Sequence, residues 1–344
     1  MSAVTPDKND AKRRLMFWIS LSSVALAIVV VVLGAFTRLS DAGLGCPDWP
    51  GCYGHLTWPN SDHEVAAAEA RFPEAPVEHD KTWPEMVHRY FAGSLGLLIL
   101  AITIMTFVWS KGGEQLPKKL PVFLCVLVIV QAAFGMWTVT LKLWPQVVTA
   151  HLLGGFATLS FLWLLTQRLS SWRWRVIPGH SSIKKLAVFA TIVVVLQISL
   201  GGWTSSNYAA LACVDLPTCH GEWWPKMDFA AGFNFLQHVG PNYLGGLLDG
   251  DARTAIHMGH RLGAIVVTLV MLVLIFKLWA SKSSREIRMA VVMLVLLAIQ
   301  LGLGLSNIIM VLPLHVAVTH NAVGAILLLS LVTLNHRLYT AVKE

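Results

Sequence analysis

The chain has 344 residues, of which 55% are hydrophobic and only 13% are charged, whereas a soluble domain normally carries about a quarter charged residues. With a mean hydropathy of +0.62, this composition excludes soluble, disordered, collagenous and coiled-coil classes, and it predicts an all-α integral membrane protein. The formal net charge of +7 would suggest a nucleic-acid partner in a soluble protein. In a membrane protein, a net positive charge is interpreted from the side of the membrane on which the basic residues lie. We therefore expect no nucleic-acid partner.

Apolar runs of about the length that a bilayer requires predict eight transmembrane helices. The sixth run reaches spanning length only when it is extended back to Thr254, across His257, His260 and Arg261. The runs cover residues 15–36, 90–109, 120–141, 143–167, 186–204, 262–276, 289–312 and 313–335.

The distribution of charge predicts the orientation of these helices. Eight spans put both termini on one side, and that side holds 18 of the 26 Lys and Arg residues, while the other side holds 14 of the 19 acidic residues. The positive-inside rule then places both termini in the cytoplasm of a bacterium, and the long loops 38–84 and 205–253 on the periplasmic side of its inner membrane. We expect the first run to be a retained helix, because no small-residue cleavage site follows it.

The sequence repeats itself. Shifting the chain by 167 residues aligns 33–46 with 200–213, and the pairs Cys46/Cys52 and Cys213/Cys219 also coincide. Further along, two histidine pairs coincide at offsets of 172 and 169, namely His88 with His260 and His151 with His320. This small drift predicts two tandem four-helix halves, 15–167 and 186–335, that run in the same sense about an axis along the membrane normal.

The two Cys-x5-Cys pairs lie in the loops assigned to the outside. In an oxidising compartment this spacing favours the disulfides Cys46–Cys52 and Cys213–Cys219. Free thiols or a zinc site are the alternatives, although the spacing is not typical of zinc.

Four of the thirteen histidines lie near the outer ends of the even-numbered spans: His88, His151, His260 and His320. An ionisable group at membrane depth is costly, and two imidazoles facing each other in one half provide the axial ligands that a haem iron takes. Zinc or copper would need further ligands in each half, and hydrogen-bonded core histidines are the remaining alternative. We expect the following glycines to leave room for a macrocycle: Gly93, Gly96, Gly154, Gly155, Gly263 and Gly324. We expect the following histidines to be solvated: His55, His63, His79, His180, His220, His238 and His336.

The arginine that follows the histidine is present in both halves, whereas the residue one turn before the histidine differs between them. Arg89 and Arg261 follow His88 and His260, where an arginine could bind a haem propionate or reach the headgroups. Glu85 stands one turn before His88, while His257 takes the corresponding position in the second half. A carboxylate there could accept a proton, or it could serve the dipole of a helix that starts after Pro84.

The run 34–52, the box 85–89 and the duplicated histidines resemble haem A synthase in its cysteine-containing bacterial form. The resemblance covers residues 15–336 and implies oxidation of the C8 methyl group of haem O to a formyl group, by successive hydroxylation, to supply haem A to terminal oxidases. It further implies that His88 and His151 hold the substrate haem O, that His260 and His320 hold a haem b cofactor, and that Glu85 with Cys46 and Cys52 forms the catalytic neighbourhood.

The resemblance also implies haem O synthase or oxidase-assembly factors as partners, with an electron acceptor that the sequence does not identify. Homo-oligomers are compatible with it. A di-haem b electron carrier without haem chemistry is the alternative function, and a transporter is a third. Two segments depart from a generic member, the acidic insert 62–80 and the loop 229–249, and we expect both to be solvated loops rather than a lid or a partner-facing surface.

Overall fold

The computed structural model describes residues 8–111, 116–170, 172–177 and 179–342. Over these residues the chain forms ten α-helices and no β-strand beyond isolated bridges. The helices are α1 (Lys8–Leu39), α2 (Asp62–Arg71), α3 (His79–Lys111), α4 (Lys119–Thr140), α5 (Pro145–Leu169), α6 (His180–Ser206), α7 (Phe229–Gly232), α8 (Gly250–Ala280), α9 (Ser284–Ile309) and α10 (Leu314–Tyr339).

Eight of the described helices are long and apolar enough to cross a membrane: α1, α3, α4, α5, α6, α8, α9 and α10. Each overlaps most of one of the eight predicted runs, so the prediction of an all-helical, multi-pass membrane protein is confirmed. The remaining helices, α2 and α7, lie in the two long connections 40–78 and 207–249.

Two of the spans begin much earlier than their apolar runs. The helix α3 starts at His79 rather than at residue 90, and Pro84 therefore lies inside the helix instead of just before it. The helix α8 starts at Gly250, with Asp249 as its N-cap accepting a hydrogen bond from the Ala252 N–H. An apolar run ends at the first charged residues, whereas a helical backbone continues through them where its side chains have partners in the loops. The interpretation of Glu85 as the first residue of a helix is consequently wrong.

The long helices pack in two sets with matching neighbours. In the first set α1 packs on α3 and α5, while α4 packs between α3 and α5. In the second set α6 packs on α8 and α10, while α9 packs between α8 and α10. The two sets meet where α1 packs on α10, where α6 packs on α5, and where α5 packs on α10.

The core between the two sets is continuous and mostly apolar. One cluster of buried residues extends from Met16 in α1 to Leu338 in α10. A few polar hydrogen bonds cross this core. The indole of Trp163 donates to Thr333 over 2.7 Å, and Arg337 donates to the Gln167 side chain over 2.7 Å. Buried polar groups are tolerated where they are paired in this way.

The acidic insert 62–80 was expected to be a loop, but part of it is helical. Its first ten residues form α2, which starts with a capping box in which Ser61 and Glu64 each satisfy a backbone N–H of the other. The side chain of Glu69 accepts a hydrogen bond from the Val77 N–H over 3.3 Å and ties the following turn back to the helix.

Candidate functional site

Two histidines face each other in the first helix set. His88 on α3 and His151 on α5 have ring centroids 6.5 Å apart, with the ring planes perpendicular. Both side chains are half-buried. The sequence therefore predicted correctly which two helices bring imidazoles together.

The separation fits a single metal ion between the rings. Two metal–nitrogen bonds of about 2 Å each, together with half an imidazole on either side, give a centroid distance of about 6 Å. Among the described residues no three His, Cys, Asp or Glu side chains come close enough together to hold a metal ion. A pair of opposed imidazoles is the ligand set of a six-coordinate haem iron, which takes its other four nitrogens from the macrocycle.

The second helix set carries the corresponding pair. His260 lies on α8 and His320 on α10, as His88 and His151 lie on α3 and α5. Glutamines contact both rings, since Gln197 Nε2 lies 3.0 Å from His260 Nδ1 and Gln300 Nε2 lies 3.3 Å from His320 Nε2.

Every one of the four imidazoles lies against a glycine of a neighbouring helix. A Cβ atom at these glycines would stand 2.8 to 3.5 Å from the Cε1 atom of the histidine. At Gly34, Gly201 and Gly304 this distance is short enough that the ring would have to shift, whereas at Gly135 it is ordinary van der Waals contact. The pairs are Gly34 with His88, Gly135 with His151, Gly201 with His260 and Gly304 with His320. All four glycines are matched in the repeat, Gly34 with Gly201 and Gly135 with Gly304, but the sequence does not show that they adjoin the ligands.

The glycines that had been expected to leave room for a macrocycle divide into two groups. Gly93 and Gly155 face open space, with nothing within 4 Å of an added Cβ. The other four pack against side chains of adjacent helices, Gly96 against Val128, Gly154 against Gln131, Gly263 against Gln197 and Gly324 against Gln300. For those four the close packing of helices is the better explanation.

A buried carboxylate lies beside the first histidine pair. Glu85 is 4% exposed, and its Oε2 accepts a hydrogen bond of 2.9 Å from the backbone N–H of Cys46. Its other oxygen pairs with Arg89, one turn further along α3. Cys46 is joined to Cys52, so the structure brings the predicted carboxylate and the predicted disulfide into direct contact.

The second half differs at this point. His257 is buried, and its Nδ1 lies 2.9 Å from the carbonyl oxygen of Ala209 rather than near the disulfide. Cys213 is joined to Cys219, as the spacing predicts. The difference between Glu85 and His257 is therefore also a difference in how the outer loop is attached to the helix below it.

The two arginines that follow the histidines hold these disulfide loops. Arg89 donates to the carbonyl oxygens of Asp48, Pro50 and Gly51. Arg261 donates to those of Cys213, Asp215 and Thr218 over 2.8 to 3.0 Å. Both guanidinium groups thus have partners in the protein, and their binding of a haem propionate stays a prediction.

Each loop is also closed by an aspartate. Asp48 accepts hydrogen bonds from the N–H groups of Tyr53 and Gly54, and Asp215 accepts from those of His220 and Gly221. The bond from Gly221 and the one from the Thr218 hydroxyl hold the pKa of the Asp215 carboxyl well below its usual range. Both loops are therefore pinned at two points, by a disulfide and by a carboxylate.

The long loop after α7 covers the end of α5, the helix that carries His151. Trp144 and Gln146 donate to the carbonyl oxygens of Gln237 and Phe235, and the N–H of Tyr243 donates to the carbonyl oxygen of Lys142 over 3.0 Å. Most of the segment 229–249 is nevertheless exposed, as expected for a solvated loop, and Leu236 is 86% exposed.

One histidine outside the site was also assigned wrongly. His336 was expected to be solvated, but it is 6% exposed, because α10 continues to Tyr339 and keeps its last turn against the bundle. The remaining six histidines of that group are at least partly exposed.

The family model and the relatives that match this chain point to the same family. The model of the cytochrome oxidase assembly protein family COX15-CtaA matches residues 17–332. A protein of Shewanella oneidensis named heme A synthase is 46% identical over 325 residues, which cover 94% of this chain and 96% of the relative. Proteins of the same name from Chelativorans sp. and Nitrosospira multiformis are each 28% identical, covering 94% and 98% of this chain and 92% and 98% of the relatives.

Proposed function

The chain belongs to the COX15-CtaA family of cytochrome oxidase assembly proteins, and from this premise we propose that it is a membrane enzyme that oxidises haem O to haem A. The observation that carries the proposal is the opposed pair His88 and His151, with the buried carboxylate of Glu85 one helical turn away. A full-length relative named heme A synthase, 46% identical, supports the same activity.

We assign different haems to the two halves. The substrate haem O binds between His88 and His151, where its C8 methyl group is converted to a formyl group. Haem b binds between His260 and His320. The assignment rests on the carboxylate of Glu85, which lies one turn from His88, since the second half has His257 at the corresponding position.

Contacts between the halves support their origin by duplication. Arg38 donates to the carbonyl oxygen of Ser205 over 2.6 Å, and the Tyr208 hydroxyl donates to Asp41 over 3.0 Å. Ser205 and Tyr208 stand 167 positions after Arg38 and Asp41, which is the repeat offset. Equivalent residues meet in this way close to a two-fold axis, so the contacts favour a pseudo-two-fold axis between the ends of α1 and α6.

The protein groups around the first pair suit an oxidation that releases protons. Converting a methyl group to a formyl group with oxygen from water sets free protons and electrons, so the site needs a proton acceptor. Glu85 is held in place from both sides, by the Cys46 N–H and by Arg89. Its carboxylate accepts the proton, while the imidazoles of His88 and His151 fix the substrate iron and thereby the position of the methyl group.

The second pair serves electron transfer. When bound, haem b supplies one-electron redox chemistry. His260 and His320 hold its iron, and Gly201 and Gly304 give their rings space against the neighbouring helices. The electrons pass to an external acceptor.

We place the enzyme in a bacterial inner membrane, with both termini in the cytoplasm and both disulfide loops in the periplasm. The charge asymmetry of the loops and the disulfides support this orientation. Haem O synthase and oxidase-assembly factors are the proposed partners, since they would deliver the substrate and take up the product.

The test is conversion of haem O in membranes that contain the chain together with a source of haem O. Haems are extracted and identified by mass, and membranes without the chain are the control. The proposal expects haem A only where the chain is present. A purified protein that holds two haem B molecules per chain, in membranes that form no haem A, would instead be an electron carrier.

A further inference from the structure

Arginines from both helix sets hold the segment that leaves α5 and leads to α6. From the first set, Arg13 of α1 donates to the carbonyl oxygens of Leu169 and Arg168 over 3.0 and 3.2 Å. From the second set, Arg337 of α10 donates to the carbonyl oxygen of Trp172, and its guanidinium group lies 4.6 Å from the centre of the Trp172 ring. These contacts bring basic side chains of α1, α5 and α10 to one end of the bundle.

The positive charge at this end is not balanced by a carboxylate. Arg173 adds to it, because it donates over 3.1 Å to the same Trp172 carbonyl oxygen that accepts from Arg337. We call the following residues the arginine cluster: Arg13, Arg168, Arg173 and Arg337. None of the ion pairs between described residues involves this cluster. Arg337 is only 5% exposed, and its Nε is buried without a hydrogen bond from any described group. Since like charges held close together repel one another, the cluster favours the binding of an anion.

A cavity of about 280 Å³ lies beside the cluster and has both polar and apolar walls. Arg13 and Arg168 line it together with Leu116, Pro117 and Leu169. A guanidinium group binds a phosphate through two parallel hydrogen bonds, whereas the leucine and proline side chains suit carbon atoms. The lining therefore matches a group that is anionic at one end and apolar at the other.

The position of the cluster in the bundle indicates where such a group comes from. Arg13 lies in the second turn of α1, and Arg168 and Arg337 lie in the last turns of α5 and α10. The ends of spanning helices lie at the level of the lipid headgroups, and the exposed indole of Trp172 is typical of that level. Basic pockets between transmembrane helices bind anionic headgroups.

We propose that this cavity binds the phosphate group of an anionic phospholipid, which Arg13 and Arg168 hold and which neutralises the arginine cluster where the two helix sets meet. The site is separate from the histidine pairs. On α5, for example, Arg168 lies about 25 Å further along the helix than His151. The inference goes beyond the proposed function and does not depend on it, since a lipid at this end of the bundle takes no part in the oxidation.

Native mass spectrometry of the purified full chain, stripped of lipid in detergent, tests the site with three probes: phosphatidylglycerol, phosphatidylcholine and inorganic phosphate. We expect phosphatidylglycerol to bind with a Kd at least about tenfold lower than phosphatidylcholine, because choline cancels the charge of the phosphate and basic residues near the headgroups favour anionic lipids. Added salt should reduce this preference. Inorganic phosphate at the same concentration should leave the lipid bound, since it lacks the apolar part.

Two double variants locate the site. Arg13→Gln with Arg168→Gln should weaken the binding of phosphatidylglycerol at least about tenfold. The matched control is Arg14→Gln with Lys185→Gln, which removes two positive charges from the same end of the bundle. Both control residues are exposed and neither lines the cavity, so the control should bind within twofold of the unchanged protein.

A third double variant separates charge from packing. Arg13→Lys with Arg168→Lys keeps the charge but loses the planar fork, so it should bind phosphatidylglycerol more tightly than the glutamine pair does. Melting temperatures without lipid show whether each variant is folded. Added phosphatidylglycerol should raise the melting temperature of the unchanged protein and of the control, because a ligand stabilises the folded state that binds it, but not that of the glutamine pair.

Three results would overturn the inference. Equal affinity for phosphatidylglycerol and phosphatidylcholine would show that the headgroup charge is not recognised. Equal binding of phosphatidylglycerol by the glutamine pair and by the control would place the lipid elsewhere on the protein. Displacement of the lipid by inorganic phosphate at the same concentration would make free phosphate, rather than a phospholipid, the ligand of the cavity.

Discussion

Close packing of an imidazole on a glycine is the residue-scale feature that all four ligands share. On α9, a Cβ at Gly304 would lie 3.3 Å from His320 Cε1, whereas Gly302, two residues earlier on the same helix, meets nothing within 4 Å. We predict that Gly304→Val lowers haem B per polypeptide at least about tenfold, since support of a metal-bound histidine is worth about that much. Gly302→Val should bind a normal amount. Equal haem content in the two variants, measured by pyridine haemochrome, would refute the role of the glycine.

Glu85 is the second residue-scale test. We predict that Glu85→Gln lowers haem A formation at least tenfold, because general acid–base groups contribute about 10²- to 10⁴-fold. The amide can still accept the hydrogen bond from Cys46, but it cannot take up the proton or carry the charge opposite Arg89.

The matched control for this substitution is Glu78→Gln, which also removes one carboxylate from the first half. Glu78 is half-exposed and pairs with Lys81 over 2.6 Å, so its loss should leave turnover unchanged. Yields are expressed per folded, haem-loaded protein. An undiminished yield from Glu85→Gln on that scale contradicts a catalytic role for the carboxylate.

At the same scale, sequence reasoning found groups whose chemistry is rare in a membrane and missed groups whose role depends on contacts. Four histidines and Glu85 stand out because ionisable residues at membrane depth are costly. The partners of Arg89 and Arg261 could not be predicted, because backbone carbonyls carry no sequence signal. Gln197 could have been found, since the alignment at offset 167 sets it against an apolar residue.

At the scale of elements, the two disulfide loops are the segments most clearly built as units. Each is closed by a disulfide, held by an aspartate and clamped by an arginine. We predict that the double variant Cys213→Ser, Cys219→Ser lowers the free energy of unfolding by about 2 kcal/mol, as expected for so short a closed loop.

Denaturation in detergent without reductant measures this change. Cys125→Ser is the control, because Cys125 is the half-buried cysteine that the structure leaves free, and its replacement should cost less than the loss of the disulfide. If the double variant unfolds at the same denaturant concentration as the unchanged protein, the bond makes no contribution to stability.

The elements themselves were predictable in number and type but not at their ends. All eight spans follow from apolar runs of spanning length, since a helix satisfies its own backbone hydrogen bonds in lipid. The start of α3 was missed because its charged residues have partners in the loop, as Glu85 and Arg89 do. For α8, the extension of the sixth run back to Thr254 came within four residues of the start at Gly250. The helix α2 was missed because its Ser61–Glu64 capping box lies in an acidic, loop-like stretch.

At the scale of the whole molecule, the charge distribution predicts the orientation in the membrane. Because 18 of 26 basic residues lie on the side of the termini, we predict fluorescence from a green fluorescent protein fused after Glu344. Alkaline phosphatase fused after Asp62 should be active, since this enzyme needs the oxidising side. Activity of the phosphatase at Glu344, together with its absence at Asp62, would show the opposite orientation.

The repeated motifs were visible in the sequence, while the contacts between the two helix sets were not. The repeat is carried by motifs such as 33–46 and 200–213. The bonds that join the halves, for example from Trp163 to Thr333 and from Arg38 to Ser205, involve residues without any distinguishing pattern. Their partners depend on how the two helix sets dock, which apolar periodicity does not specify.

The central claim is that the two histidine pairs bind different haems, and the haem content of histidine variants tests it most directly. Each variant is purified from membranes that supply haem O, and its haems are identified by mass. The account predicts that His260→Ala and His320→Ala lose haem B, and that His88→Ala and His151→Ala keep haem B but lose haem O and haem A. Loss of haem B from His88→Ala with its retention in His260→Ala would contradict the assignment.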